Sequence, residues 1–226
     1  MNQFSFSISV SFVTIGYVIY LAITSSGKIR NFLSPDPSVN VYHILFQRLT
    51  GIFIFGILPV FLLLMFSDLK YLSFSVNKDT LYWALLIALI IIPVNFLNSK
   101  KPGNLALYPQ IRNKTWSVDL ILASALSWVS YLFAYEMLFR GIFLFSSVEI
   151  LGYWPAIILN TGIYSLVHYP KDLKEALGAI PFGIIICILT LKTGSFIIAF
   201  LVHTVLALSN EWFSIYALSR SVSIKK

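Results

Sequence analysis

Glu136 and Arg140 stand four residues apart in the segment Tyr135 to Gly141, His168 closes Tyr164 to His168, and His203 sits in Phe200 to Thr204. On a helix the i,i+4 spacing puts Glu136 and Arg140 on one face within ion-pair reach, with the acid nearer the N-terminus. A carboxylate and two imidazoles can hold a divalent metal that keeps an open position for water, or can activate a water directly. Each residue also has a plainer reading. Glu136 and Arg140 can neutralise each other and pin two helices together, and a histidine in an apolar span can serve as a hydrogen-bonded packing residue.

The surroundings of these four residues make them costly. The 226-residue chain is 58% hydrophobic and 11% charged, outside the usage of a soluble domain. Its charges are confined, leaving apolar runs over 1–27, 49–67, 80–99, 117–148, 150–170, 176–191 and 193–210. Most approach the ~20 residues that span hydrocarbon. In a bilayer the backbone must satisfy itself, so these runs predict helices; nothing alternates as a barrel strand would. The expected fold is an all-α polytopic transmembrane helix bundle of about seven spans. Residues 1–226 read as one integral membrane domain.

Residues 1–5 lack a basic n-region and no small-x-small cleavage site precedes Lys28, so the first run is read as a span. The single Cys187 excludes an intrachain disulfide and a cysteine-based metal cluster. The net charge of +7 does not indicate nucleic acid, because the basic residues lie in short loops. Lys28, Arg30, Arg48, Lys100, Lys101, Arg112, Lys114, Lys171, Lys174, Arg220, Lys225 and Lys226 fall on one side, against Lys70, Lys78 and Lys192 on the other. This bias puts the N-terminus outside and the C-terminus in the cytoplasm. Gly178 to Gly183 carries small residues four apart, which suits close helix packing around a Pro181 kink. His43, on the first basic loop, is read as solvated. One charge pair without an internal repeat gives a transporter little support.

The motifs resemble the CPBP family of intramembrane endopeptidases, the CAAX-processing and bacteriocin-processing (ABI) group. That family is marked by Glu-Glu-x-x-x-Arg, then Phe-x-x-x-His, then His-x-x-x-Asn/Asp on successive helices. Here Glu136, Arg140 and Gly141 are similar to the first motif, Tyr164 to His168 to the second, and His203 to the third. The resemblance covers about 119–212. It implies a membrane endopeptidase that cleaves a membrane-associated or lipidated polypeptide with activated water. Glu136, Arg140, His168 and His203 would then be catalytic, with Glu136, His168 and His203 as the ligand set for a divalent metal such as zinc. The partners it implies are membrane lipid and a peptide substrate, in a bacterial cytoplasmic membrane.

Two positions depart from the pattern. Tyr135 stands where the family has its first Glu, and Ala207 where it has Asn or Asp. A phenol titrates near ~10, so water activation falls to Glu136. These losses favour a second reading, a catalytically silent member of the same fold with a binding, immunity or scaffold role. Asn210 returns to the face of His203 but about 10 Å along the axis. A straight helix over 117–148 would carry Glu136 ~28 Å from its start, away from His168. A shared site therefore needs a tilted or protruding fourth segment, and a loop at 171–174 that dips into the protein.

Overall fold

The structure, a computed structural model, describes residues 2–36, 38–66, 69–170 and 172–223. Pro37, Lys171, Lys225 and Lys226 lie outside the described residues, and with them part of the expected 171–174 loop and basic tail.

Six helices are long and apolar enough to cross a membrane: α1 (Gln3–Thr24), α2 (Val41–Phe66), α3 (Lys78–Asn98), α4 (Val118–Leu151), α6 (Leu173–Thr193) and α7 (Ile197–Ser223). Between α4 and α6 lies α5 (Tyr153–His168), which accounts for the remaining expected run. The chain is thus an all-α polytopic bundle. At 16 residues α5 measures ~24 Å, short of the ~30 Å hydrocarbon thickness. The helix stops at His168, two residues before Pro170.

Local chemistry sets several boundaries. The Asn77 side chain accepts the Thr80 amide at the start of α3, and the Ser117 hydroxyl accepts the Leu120 amide at the start of α4. Gly152 (φ 84°) and Gly194 (φ 69°) occupy backbone conformations that a side chain would strain, and they separate α4 from α5 and end α6.

Contacts between loops define two ends of the bundle. At one, Lys70 Nζ meets Glu149 Oε1 at 3.0 Å, and Asn77 Nδ2 donates to the Thr193 carbonyl. At the other, Asn40 Nδ2 donates to the Gln110 carbonyl, Asn104 Nδ2 to Ser214 Oγ, and the Tyr108 hydroxyl to Glu175 Oε1 at 3.0 Å. Burial and the neighbouring Glu175 push the Tyr108 phenol well above its usual range, which keeps it a donor. The second end gathers the loops that the sequence marked as basic. Outward faces such as Leu85, Leu89 and Leu97 of α3 are exposed and apolar, as lipid contact requires.

Three helices widen into π turns, at Phe12–Gly16 in α1, Phe53–Ile57 in α2 and Met137–Phe143 in α4, and these turns touch one another. They surround a core that includes Phe55, Leu138, Phe139, Ile142 and Phe143. Gly183 packs α6 against α5: a Cβ there would meet Thr161 Cγ2 and Tyr164 Cδ1 at 3.2 Å. His43 is a correction to the sequence reading. It is only 8% exposed, and its ring nitrogen Nε2 donates to the Thr24 carbonyl at 2.9 Å.

Candidate active site

Glu136 is the last residue of α4 before its π turn, and Arg140 lies within that turn. Arg140 Nη1 approaches Glu136 Oε2 at 3.0 Å and Oε1 at 3.3 Å. His203 of α7, 67 positions away, brings Nδ1 to 2.5 Å from Glu136 Oε1. Because a carboxylate only accepts, Nδ1 carries the proton of this contact, and in the neutral imidazole the lone pair is then on Nε2. No hydrogen bond to Nε2 forms among the described residues. The pair is wholly enclosed, with Glu136 and Arg140 both at 0% exposure, whereas the His203 side chain is 12% exposed.

Two aromatic rings complete the enclosure. The Arg140 guanidinium carbon lies 4.1 Å from the Tyr164 ring centroid, a cation–π contact that partly replaces lost water. Tyr135 stacks on Phe139 at 4.4 Å and meets the His203 ring edge-on at 6.1 Å. Its hydroxyl is buried without a partner among the described residues.

His168 is held differently. Its Nδ1 donates to the Tyr164 carbonyl at 2.8 Å, and its ring lies 4.5 Å from the Tyr164 ring. It shares the wall of one cavity with His203. The Tyr17 hydroxyl of α1 donates to the Val167 carbonyl, and Tyr17 is seven residues, ~10 Å, short of the end of α1. The 34-residue α4, ~51 Å long, exceeds the hydrocarbon thickness, as the expected tilted or protruding fourth segment requires.

A cavity of about 810 Å³ adjoins these groups. His168, His203, Tyr135, Tyr164 and Ala207 contribute to its wall; Glu136 does not. Both positions that depart from the motif pattern therefore face the same space as the imidazoles. The metal-ligand set expected from the sequence fits this arrangement poorly. Both Glu136 oxygens already accept N–H groups, from Arg140 and His203.

Some residues of the site had no motif to reveal them. Asn160 is fully buried, donates to the Phe139 carbonyl of the π turn at 2.7 Å, and accepts from Cys187 Sγ at 3.3 Å. Arg48, which the sequence placed with the first basic loop, is 3% exposed inside α2 and lines the cavity. Asn210 lines the cavity too, away from the Glu136 cluster, with Oδ1 lacking a donor among the described residues.

Fold and site together define a polytopic helical membrane protein with a buried carboxylate–guanidinium pair that holds one imidazole at the wall of a half-open cavity. A family model described as type II CAAX prenyl endopeptidase, Rce1-like, matches residues 116–209. The match covers α4 through the first half of α7 and bears out the resemblance carried by the three motifs. Searches of the curated proteins and of the solved structures each found no match.

Proposed function

We propose that this chain is a membrane-embedded endopeptidase of the CAAX type, which hydrolyses a peptide bond of a lipidated or membrane-inserted polypeptide with His203 as general base. The observation that carries this is the 2.5 Å contact between Glu136 and His203 Nδ1, with the imidazole at the wall of an 810 Å³ cavity and the carboxylate shut off from it.

In this mechanism His203 Nε2 takes a proton from a cavity water as its oxygen attacks the scissile carbonyl. The tetrahedral intermediate collapses, and the imidazolium returns that proton to the leaving amine. Glu136 fixes the tautomer and stabilises the imidazolium, as the carboxylate does in the general triad logic. Arg140 keeps Glu136 ionised and oriented, and His168 lines the same cavity. The basic end of the bundle faces the cytoplasm.

The test is cleavage of a prenylated reporter peptide by the purified chain in lipid nanodiscs. His203→Ala and Glu136→Gln should each lower kcat by at least ~10²-fold, the size of a general-base contribution. Unchanged rates would overturn the assignment.

One observation favours a second reading, a silent binding protein. Tyr135 is packed tightly on Phe139 where the family carries a carboxylate, and Ala207 offers no polar group. That reading expects the reporter peptide to bind and remain intact.

A further inference from the structure

The chain's single thiol, Cys187, lies at 0% exposure within α6, between Ile186 and Ile188. A buried cysteine in apolar surroundings ordinarily packs as a small hydrophobe, and Leu144, Ala156 and Ile157 do pack around this one. Its sulfur also makes a directed contact. Sγ donates to Asn160 Oδ1 on α5 at 3.3 Å, and Asn160 Nδ2 donates to the Phe139 carbonyl in the π turn of α4 at 2.7 Å.

The order of these bonds follows from the groups involved. A carbonyl only accepts, so Asn160 must turn Nδ2 toward Phe139, which leaves Oδ1 facing α6. The thiol is the donor that this oxygen receives among the described residues. Without it a fully buried amide oxygen would be unpaired, and the amide would lose its preference for the orientation that holds the π turn.

The same sulfur neighbours Arg140. The guanidinium is fully enclosed and spends Nη1 on Glu136, while its Nε and Nη2 meet no aligned acceptor among the described residues. Cys187 lies close enough for sulfur and guanidinium to act on each other, with the Thr161 hydroxyl beside them. A thiol that gives its proton to Asn160 keeps lone pairs for such a neighbour, and sulfur is a weak acceptor. That weakness suits the position, because a carboxylate there would compete with Glu136 for the cation. Phe139 immediately precedes Arg140, so Cys187 holds one residue from two sides: its backbone through Asn160, and its side chain through sulfur.

We propose that Cys187 is a positioning residue for hydrolysis, which orients Arg140 toward Glu136 and thereby sets the contact between Glu136 and His203. This rests on the reading of His203 as general base.

The experiment opposes size to polarity at one position. Cys187→Val fills the space and removes donor and acceptor, whereas Cys187→Ser is smaller and keeps both. A packing role favours valine, and a positioning role favours serine. With the prenylated reporter peptide in nanodiscs, Cys187→Val should lower kcat at least ~10-fold with KM within ~2-fold of the parent, and Cys187→Ser should keep kcat within ~3-fold. Cys187→Ala takes the place of valine if that variant does not fold. Equal rates, or a valine variant faster than serine, overturn the proposal.

A second measurement is independent of turnover. In the chain labelled with ¹⁵N-histidine, the Nδ1 proton of His203, identified by its loss in His203→Ala, should resonate far downfield because of its short contact with Glu136. It should stay there in Cys187→Ser and move upfield in Cys187→Val. That movement in a chain that cleaves nothing supports the positioning role and removes the hydrolytic reading instead. A proton unmoved by Cys187→Val overturns the positioning role even where cleavage proceeds.

Discussion

Glu136→Gln keeps the size of the side chain and removes its charge, so its cost follows from the geometry at that position. The carboxylate accepts N–H groups on both oxygens, from Arg140 at 3.0 Å and His203 at 2.5 Å. An amide offers one acceptor and one donor, so one of these partners meets an N–H instead of an oxygen. Arg140 is also left as a cation at 0% exposure with no counter-charge in contact. Breaking a buried pair by removing one partner costs about 3–5 kcal/mol, because the remaining charge stays desolvated. Glu136→Gln should therefore lower stability by about that amount, measured by steric trapping in bicelles. The double variant Glu136→Gln, Arg140→Met removes both charges and should recover more than half of the loss, since replacing both members of a buried pair by apolar groups is often near neutral. A single variant within ~1 kcal/mol of the parent, or a double variant that costs the sum of the two singles, would refute the reasoning.

Other positions carry their own expectations. Gly51→Ala places a Cβ 2.3 Å from Tyr131 Cε2, so that ring must move; the strain should cost about 1–3 kcal/mol in the same unfolding assay. Asn160→Ala removes the donor to the Phe139 carbonyl and should cost about 1–3 kcal/mol, with a parallel loss of cleavage as the π turn that carries Arg140 loosens. Since both Glu136 oxygens are engaged by N–H groups, treatment with a strong chelator should leave the rate of the purified chain unchanged. Tyr135→Glu with Ala207→Asn restores the family pattern on the cavity wall; under the silent reading it should convert a binder into a hydrolase, seen as new product in the reporter assay.

Much of the fold was legible because apolar runs in lipid admit few solutions: each run of about 20 residues became a helix. The run at 150–170 became α5, which ends at His168 ahead of Pro170, because a proline disfavours helix in the residue before it. The order of Glu136, His168 and His203 along the chain was legible from motif spacing. Their contacts were not, because the meeting of Glu136 with His203 depends on where α7 crosses α4, which no local spacing fixes. Arg48 was misplaced for a related reason. Its stabilising partners, Ser124, Ser127 and Gln110, come from distant parts of the chain, so its charge read locally as a loop determinant. His43 shows the same limit, since the Thr24 carbonyl that holds it belongs to another helix. Tyr135 and Ala207 were visible as departures, but only the structure shows both facing the cavity beside His203.

The central claim is that His203, backed by Glu136, activates a cavity water. Incubating the chain in nanodiscs with a prenylated peptide in ¹⁸O-enriched water, and weighing the products by mass spectrometry, tests it most directly. The account predicts a shortened peptide carrying one ¹⁸O in its new carboxyl group, formed by the intact chain and lost in His203→Ala. An intact peptide, or labelled product formed equally by His203→Ala, would contradict it.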